Sequence, residues 1–311
     1  MKKKWYLIAN PVAGGFKCRK ILPEITQLLN KHEIAFTKAL SKKKKHTINL
    51  TQEAIKNGYR KFISVGGDGT ANEVVNGIMS SDIDPLDFTL AAIPAGTGND
   101  WGVSAGFSKN IETAVKTIKN GEIFIQDLCK ATFKSRDGNI HERYFVNVSG
   151  AGYDAEVLFK TEKMKEKGKK GRWLYSYNIF TSLFSYKPTV ATIKIDGFEK
   201  IKEKALSINV GIGKYNGGGL MQVPHAVLDD GELALTFIGN VGRLGIIINS
   251  PKLKSGEIGK VKKVQLLKGK KIEVTSESKM LFEADGEALG ETPLTFEVIP
   301  QSLKILKRRM Q

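Results

Sequence analysis

Phe62-Ile63-Ser64-Val65-Gly66-Gly67-Asp68-Gly69-Thr70-Ala71-Asn72-Glu73-Val74-Val75 is the stretch that decides the fold. Its first four residues are an apolar, β-rich run that stops at a glycine pair, as a buried strand does. Beyond the glycines, Val74, Val75, Ile78 and Met79 recur at helical spacing. The pattern is strand, tight glycine turn, helix. It repeats on both sides. Residues 5–9 form an apolar run ending at Asn10-Pro11, and Ile21, Leu22, Ile25, Leu28 and Leu29 then keep helical spacing. Residues 35–40 read as a second strand, residues 47–57 as a helix closed by Gly58, and residues 89–93 as a further strand. Alternation of this kind predicts an α/β domain with a parallel sheet and helices on its faces.

From about residue 123 the character changes. Strand-like runs at 123–131, 144–148, 190–195, 206–211, 233–238, 272–275 and 294–299 are punctuated by Asp137-Gly138, Asp196-Gly197 and Asp285-Gly286. Asp-Gly pairs favour the left-handed turns of β-hairpins, so this half reads as a mainly antiparallel β domain. The expected domains are 1–128 and 129–311, with residues 303–306 a candidate to return to the first. One insertion breaks the β pattern: residues 160–172 are dense in Lys and Gly, and Trp173, Tyr177, Phe180 and Phe184 follow at helical spacing. Two readings stand open for it: a solvated loop before a core-packed helix, or a membrane-facing element with lysines on headgroups and rings at the interface.

The chain has 311 residues and a formal charge of +17, which implies attraction to polyanions such as nucleotide phosphates, nucleic acid or an anionic lipid surface. Basic and aromatic residues form no recognisable nucleic-acid motif, so nucleic acid is not an expected partner. Cys18 and Cys129 lack metal or disulfide spacing, the four histidines are scattered, and no Gly-x-Ser-x-Gly elbow supports hydrolase chemistry. No signal peptide and no run of roughly 20 apolar residues is evident, so the expectation is a cytoplasmic protein, peripherally associated with membrane.

Three strand-to-helix turns carry the chemistry: residues 10–15, 66–70 and 94–100. In an open parallel sheet such turns lie at the carboxyl ends of the strands, where ligands bind. Glycines there admit phosphate oxygens close to backbone N–H groups, and the following helix adds its positive end. Each loop alone is an ordinary turn. Three in succession, carrying Asn10, Thr70, Thr97 and Asn99, suggest a phosphate cradle. Neither GxxxxGK[ST] nor a GxGxxG opening a helix occurs, which disfavours P-loop and dinucleotide folds.

Gly66-Gly67-Asp68-Gly69-Thr70 with Ala71-Asn72-Glu73-Val74 resembles the nucleotide-binding signature of the diacylglycerol kinase catalytic domain family, bacterial lipid kinases and sphingosine kinases included. Asn10-Pro11 with Gly14-Gly15, and Pro94-Ala95-Gly96-Thr97-Gly98-Asn99-Asp100, resemble that family's flanking motifs in the same order. Further on, Gly217-Gly218-Gly219, Leu228-Asp229-Asp230-Gly231-Glu232-Leu233 and Asp285-Gly286-Glu287 resemble its late motifs. The resemblance implies an N-terminal α/β domain with a parallel sheet, of the NAD kinase and diacylglycerol kinase type, a mainly antiparallel β C-terminal domain, and a nucleotide cleft between them. It places ATP on Asn10, Pro11, Gly14, Ser41, Gly66, Gly67, Asp68, Gly69, Thr70, Ala71, Asn72 and Thr97. It implies a structural Mg²⁺ at the Asp230 side chain and the backbone carbonyls of Val227 and Glu232. Asp68 and Asp100 are assigned to orienting Mg²⁺, and Glu287 is the implied catalytic base, with Asp68 beside it as a catalytic group. The chain departs from the family at Trp101-Gly102-Val103, where many relatives have Phe-Ala-Arg, and at Lys42 to Lys45, where many have a Gly-containing stretch. The lysines either meet ATP phosphates or decorate a surface loop.

The expected activity is thus Mg²⁺-dependent phosphorylation of a lipid hydroxyl by ATP, with diacylglycerol or a related lipid alcohol first among acceptors. An NAD kinase-like enzyme is the nearest enzymatic alternative, sharing the Gly-Gly-Asp-Gly loop. A non-catalytic nucleotide-sensing protein of the membrane surface is the alternative from another class. Oligomeric state is open, a homodimer included.

Overall fold

The computed structural model describes residues 4–135, 137–169, 171 and 173–309; Lys170 and Arg172 of the basic insertion and the basic start Met1-Lys2-Lys3 lie outside the described residues. The chain divides into two compact units. The first holds residues 1–128, 228–230 and 299–311, and the second holds 129–227 and 231–298.

In the first unit the chain runs β1 (Trp5–Ala9), α1 (Ala13–Lys31), β2 (Phe36–Leu40), α2 (His46–Lys56), β3 (Lys61–Gly66), α3 (Asp68–Met79), β4 (Thr89–Pro94), α4 (Asp100–Ser104), α5 (Ile111–Asn120) and the start of β5 (Glu122–Ser135). Strands pair in parallel in the order β2, β1, β3, β4, with Ile8 opposite Ala39 and Ser64, and Ile63 opposite Ala91. Parallel strands buried on both faces need near-continuous apolar runs, and β3 supplies one, with five of its six residues buried. Leu7, Ile63, Val65 and Ile93 pack against Ile25 and Leu29 of α1 and Val115 and Ile118 of α5. The final segment returns to this unit, where Ile305 pairs in parallel with Leu90.

The second unit continues through β6 (Ile140–Phe145), β7 (Val148–Gly152), α6 (Tyr153–Glu166), α7 (Trp173–Ser185), β8 (Thr189–Ile195), β9 (Phe198–Gly211), β10 (Tyr215–Asn216), β11 (Leu220–Met221), β12 (Leu233–Gly239), α8 (Gly242–Ser255), β13 (Val264–Gly269), β14 (Lys271–Ser276), β15 (Leu281–Ala284) and β16 (Glu287–Lys307). Its pairings are antiparallel: β7 with β9 and β15, β9 with β8 and β12, β12 with β13, and β14 with β8 and β16. Asp196-Gly197 and Asp285-Gly286 both adopt left-handed φ (51° and 87°, 48° and 76°), the geometry of two-residue hairpins.

Three sequence expectations are corrected here. The strand expected over 144–148 is two strands, because Asp285 takes the N–H groups of Val146 and Asn147 on its two carboxylate oxygens (2.9 and 3.1 Å) and removes them from the ladder. Residues 160–166 of the basic insertion belong to α6 rather than to a loop, a helix anchored by the buried Val157, Phe159 and Thr161 on two of its faces. The aromatic stripe of α7 is not its core face: Leu174, Asn178, Ser182 and Leu183 are buried, and Trp173, Tyr177, Phe180 and Phe184 are exposed. Among the described residues no helix is long and apolar enough to cross a membrane.

Candidate functional site

Four loops leave the carboxyl ends of β1, β2, β3 and β4 and line one cavity of about 540 Å³, within the roughly 300–1,000 Å³ of small-ligand sites. Its walls include Asn10 and Gly14, Ser41 with Lys42, Lys43 and Lys44, Gly67 and Thr70, and Gly96 and Thr97. Backbone contacts hold the loops together. Asn10 N–H donates to the Val65 carbonyl (3.0 Å), and Ala95 and Gly96 N–H both donate to the Gly66 carbonyl (2.7 and 3.1 Å).

Glycine is required where the loops touch. Gly14 has φ of 63°, and a Cβ there would lie 2.3 Å from the Ala95 carbonyl oxygen. A Cβ on Gly96 would lie 2.4 Å from the Gly67 Cα, a clash of backbone with backbone that no rotamer relieves. Gly96→Ala is therefore expected to destabilise the protein by about 1–3 kcal/mol and to weaken nucleotide binding. Gly69→Ala, where a Cβ meets no protein atom within 4 Å, is the control for stability alone, since Gly69 itself lines the cavity. Thermal unfolding of both variants and a fluorescent-nucleotide titration of Gly96→Ala check this, and identical unfolding curves for the two variants would remove the argument.

Of the residues implicated by sequence, Asn10, Pro11, Gly14, Ser41, Gly67, Gly69, Thr70 and Thr97 line this cavity. Gly66, Asp68 and Ala71 border a hollow of only about 10 Å³ beside Trp101 and Phe107. Asn72 is buried in α3, where its side-chain oxygen accepts a hydrogen bond from Asn76 Nδ2 (3.0 Å). Asp68 is half-buried and works as a cap: Oδ2 accepts the Asp100 N–H (2.8 Å) and Oδ1 the Trp101 N–H (3.1 Å), at the start of α4. Burial pushes its carboxyl up to about 6; the neighbouring Asp100 charge adds to the rise, and the amides of Asp100, Trp101 and Gly102 oppose it.

One contributor escaped sequence reasoning. Glu73 accepts the N–H of Lys45 on Oε1 (2.9 Å) and that of Thr47 on Oε2 (3.1 Å), so a carboxylate of α3 clamps the lysine loop. Lys45 itself sits at φ 64°, a conformation that costs a non-glycine residue and that this clamp helps to hold. The only signal in the sequence was an acidic residue on α3 and four cations without an evident counterpart.

The second unit carries the acidic turn. Glu287 Oε2 accepts a 2.6 Å ion-paired hydrogen bond from Arg143 Nη2, with both side chains largely buried. Behind the turn, Glu283 is buried, accepting Asn216 Nδ2–H on Oε1 (2.9 Å) and the Gly286 N–H on Oε2 (3.0 Å). Burial pushes its carboxyl up to about 8, with the charges of Asp154 and Asp285 contributing and the two hydrogen bonds opposing. Asp154 is likewise raised by burial, against hydrogen bonds from Ser207 and Asn209. Of the residues assigned to a structural ion, Asp230 falls in the first unit and Val227 and Glu232 in the second. Among the described residues no three or more His, Cys, Asp or Glu side chains group to hold a metal.

Residues 4–131 match the diacylglycerol kinase catalytic domain, and residues 147–307 match the YegS C-terminal NAD kinase beta sandwich-like domain. Over 307 residues the chain is 30% identical to a diacylglycerol kinase of Staphylococcus epidermidis, covering 98% of this chain and 92% of that one. It is 29% identical to a diacylglycerol kinase of Staphylococcus saprophyticus, with 98% and 95% covered. Among solved structures it resembles a diacylglycerol kinase from Bacillus anthracis (TM-score 0.72, 23% identity, 99% of this chain and 98% of that chain). An NAD kinase from Archaeoglobus fulgidus, solved in complex with ATP, is a more remote likeness (TM-score 0.53, 15% identity, 98% and 94% covered). At such identities the structural likeness is one of fold.

Proposed function

The chain belongs to the diacylglycerol kinase family, kinases with an alcohol as acceptor, and from that premise we propose that it transfers the γ-phosphate of ATP, with Mg²⁺, to the hydroxyl of diacylglycerol or a closely related lipid alcohol. The observation that carries the reading is the meeting of four strand-end loops around one glycine-lined cavity whose nearest side-chain cations are Lys42, Lys43 and Lys44. Phosphoryl transfer asks a protein mainly for positioning and for charge where the phosphates are. The N-terminus of α3 and the glycine backbone of residues 66–70 supply the first. The lysine loop, clamped by Glu73, supplies the second.

Mg²⁺, when bound with the nucleotide, neutralises phosphate charge. Asp68, whose carboxylate also accepts the amides at the start of α4, and Asp100 are the carboxylates proposed to face it. Glu287 is proposed as the base that removes the acceptor's proton, held in one orientation by Arg143. A lipid acceptor requires contact with a bilayer surface, and the net charge of +17 favours an anionic one.

The direct test supplies γ-labelled ATP and Mg²⁺ together with diacylglycerol vesicles, other lipid alcohols, or NAD. Label on the lipid is the expected result. Label on NAD, or nucleotide bound with no acceptor labelled, overturns the reading. Replacing Lys42, Lys43 and Lys44 together by Ala is expected to raise the KM for ATP roughly 10- to 100-fold, the loss of one or two charge-assisted hydrogen bonds. The effect should shrink as salt rises. An unchanged KM would return those lysines to the solvent.

A further inference from the structure

We propose that the exposed faces of α7 and α8 form one docking surface for an anionic lipid bilayer, with α8 inserting its own apolar ridge beside the aromatic stripe of α7. On α7, Trp173, Tyr177, Phe180 and Phe184 recur at three- and four-residue steps on one side, from 49% exposed at Tyr177 to 62% at Phe180. They pair along the stripe, Trp173 with Tyr177 (ring centroids 5.8 Å apart) and Phe180 with Phe184 (5.2 Å). On α8, Leu244, Ile247 and Ile248 share a face and are exposed at 75%, 55% and 71%, and no residue of that helix is fully buried. Leu, Ile, Phe and Trp in that number on two neighbouring helices are more than a scatter of surface apolar residues.

The two helices are joined rather than merely near. Arg243, in the first turn of α8, donates from Nη2 to the carbonyl of Phe184 at the end of α7 (3.1 Å), and its guanidinium lies over the Phe184 ring (5.4 Å). Their inner sides share one core cluster, Tyr175 and Tyr186 at α7 with Ile246 and Leu253 of α8. The outward faces are therefore fixed with respect to each other by the same packing.

Charge selects the occupant. Between residues 160 and 187 eight Lys or Arg stand against two Glu, and between 242 and 263 six stand against one. Lys163 and Lys165 of α6, which packs against α7, Lys167 at the end of α6, and Lys254 in the last turn of α8 are exposed. A second copy of the chain would set these cations against their own kind, whereas anionic headgroups would neutralise them while the rings and aliphatic chains enter the interface. Two weak signals, apolar insertion and a basic rim, together give stable attachment where either alone gives little.

This deepens the lipid-kinase reading, and its test uses neither nucleotide nor turnover, so the two can fail separately. The whole protein is floated with vesicles of phosphatidylglycerol mixed into phosphatidylcholine, and with phosphatidylcholine alone. Expected are binding to the anionic vesicles, about tenfold weaker binding to the neutral ones, and a blue shift of tryptophan emission on binding. Leu244→Ser/Ile247→Ser/Ile248→Ser should lower anionic-vesicle binding by about tenfold or more with unchanged circular dichroism, and Phe180→Ser alone by less. Because serine at three exposed sites could loosen α8, Ile248→Trp serves as a second probe: its added emission should be quenched by brominated lipid chains. Wild-type protein that ignores anionic vesicles, a triple variant that binds as wild type, or a wild-type dimer that the triple variant dissolves would each overturn the proposal.

Discussion

Glu287→Gln is expected to lower kcat on a lipid alcohol by roughly 10²–10⁴-fold, the range for loss of a general base, while nucleotide affinity stays as in the wild type. The substitution keeps size and shape and removes only the capacity to take a proton. It also changes the ion pair with Arg143, whose Nη2 lies 2.6 Å from Glu287 Oε2. Two roles must therefore be separated. If Glu287 serves only to neutralise a largely buried guanidinium, the variant loses stability by about 1–3 kcal/mol and its turnover stays near that of the wild type. If it is the base, turnover collapses whatever happens to stability. Arg143→Gln divides the cases further: it leaves a base in place but frees its side chain, so a partial loss of kcat is expected, smaller than that of Glu287→Gln. Stopped turnover in Arg143→Gln with near-normal turnover in Glu287→Gln would reverse the assignment.

How far the sequence speaks depends on whether a feature is local. The β3 run, its glycine pair and the helix after it are local, and they stand in the structure as β3 and α3 with Gly67 between them. The Asp-Gly hairpins at 196 and 285 are local too, since their left-handed φ values are a property of the residue pair. The clamp of Glu73 on the lysine loop is different. It joins residues 28 positions apart through backbone amides, and no side-chain pattern announces an amide. Likewise the break between β6 and β7 comes from a carboxylate at position 285, more than a hundred residues downstream of the amides it captures. Helix α8 was invisible for a compositional reason. Gly242, Gly245 and Pro251 lower its intrinsic propensity, and Leu244, Ile247 and Ile248 point outward while Ile246 and Leu253 pack inward, which blurs the apolar period. The aromatic stripe of α7 had the right period, but period does not say which side faces water.

The buried pair behind the acidic turn yields the other large prediction, one about stability. Glu283 rises from 4.5 when exposed to about 8 in the fold, chiefly through burial. Between these values the folded chain holds a proton that the unfolded chain has released, so the stability of the fold drops as pH rises across that window. Below it both states are protonated and the stabilisation is complete; above it both are ionised and it is gone. At about 1.4 kcal/mol per unit the loss amounts to roughly 3–5 kcal/mol. Denaturant titrations at pH 5 and pH 9 should show it.

Glu283→Gln, neutral at both pH values, should remove most of the slope. Its amide nitrogen cannot accept a hydrogen bond, so one of the two contacts to Asn216 Nδ2 and the Gly286 N–H is lost, which makes the variant about 1 kcal/mol less stable than the wild type at pH 5. At pH 9 the order reverses, because the wild type then buries a charge next to Asp154 and Asp285. The two stability curves therefore cross. A remaining slope belongs to Asp154, whose carboxyl burial also raises, and Asp154→Asn in the same background should flatten it. Parallel curves for wild type and Glu283→Gln would mean that Glu283 ionises in the fold as it does in the unfolded chain.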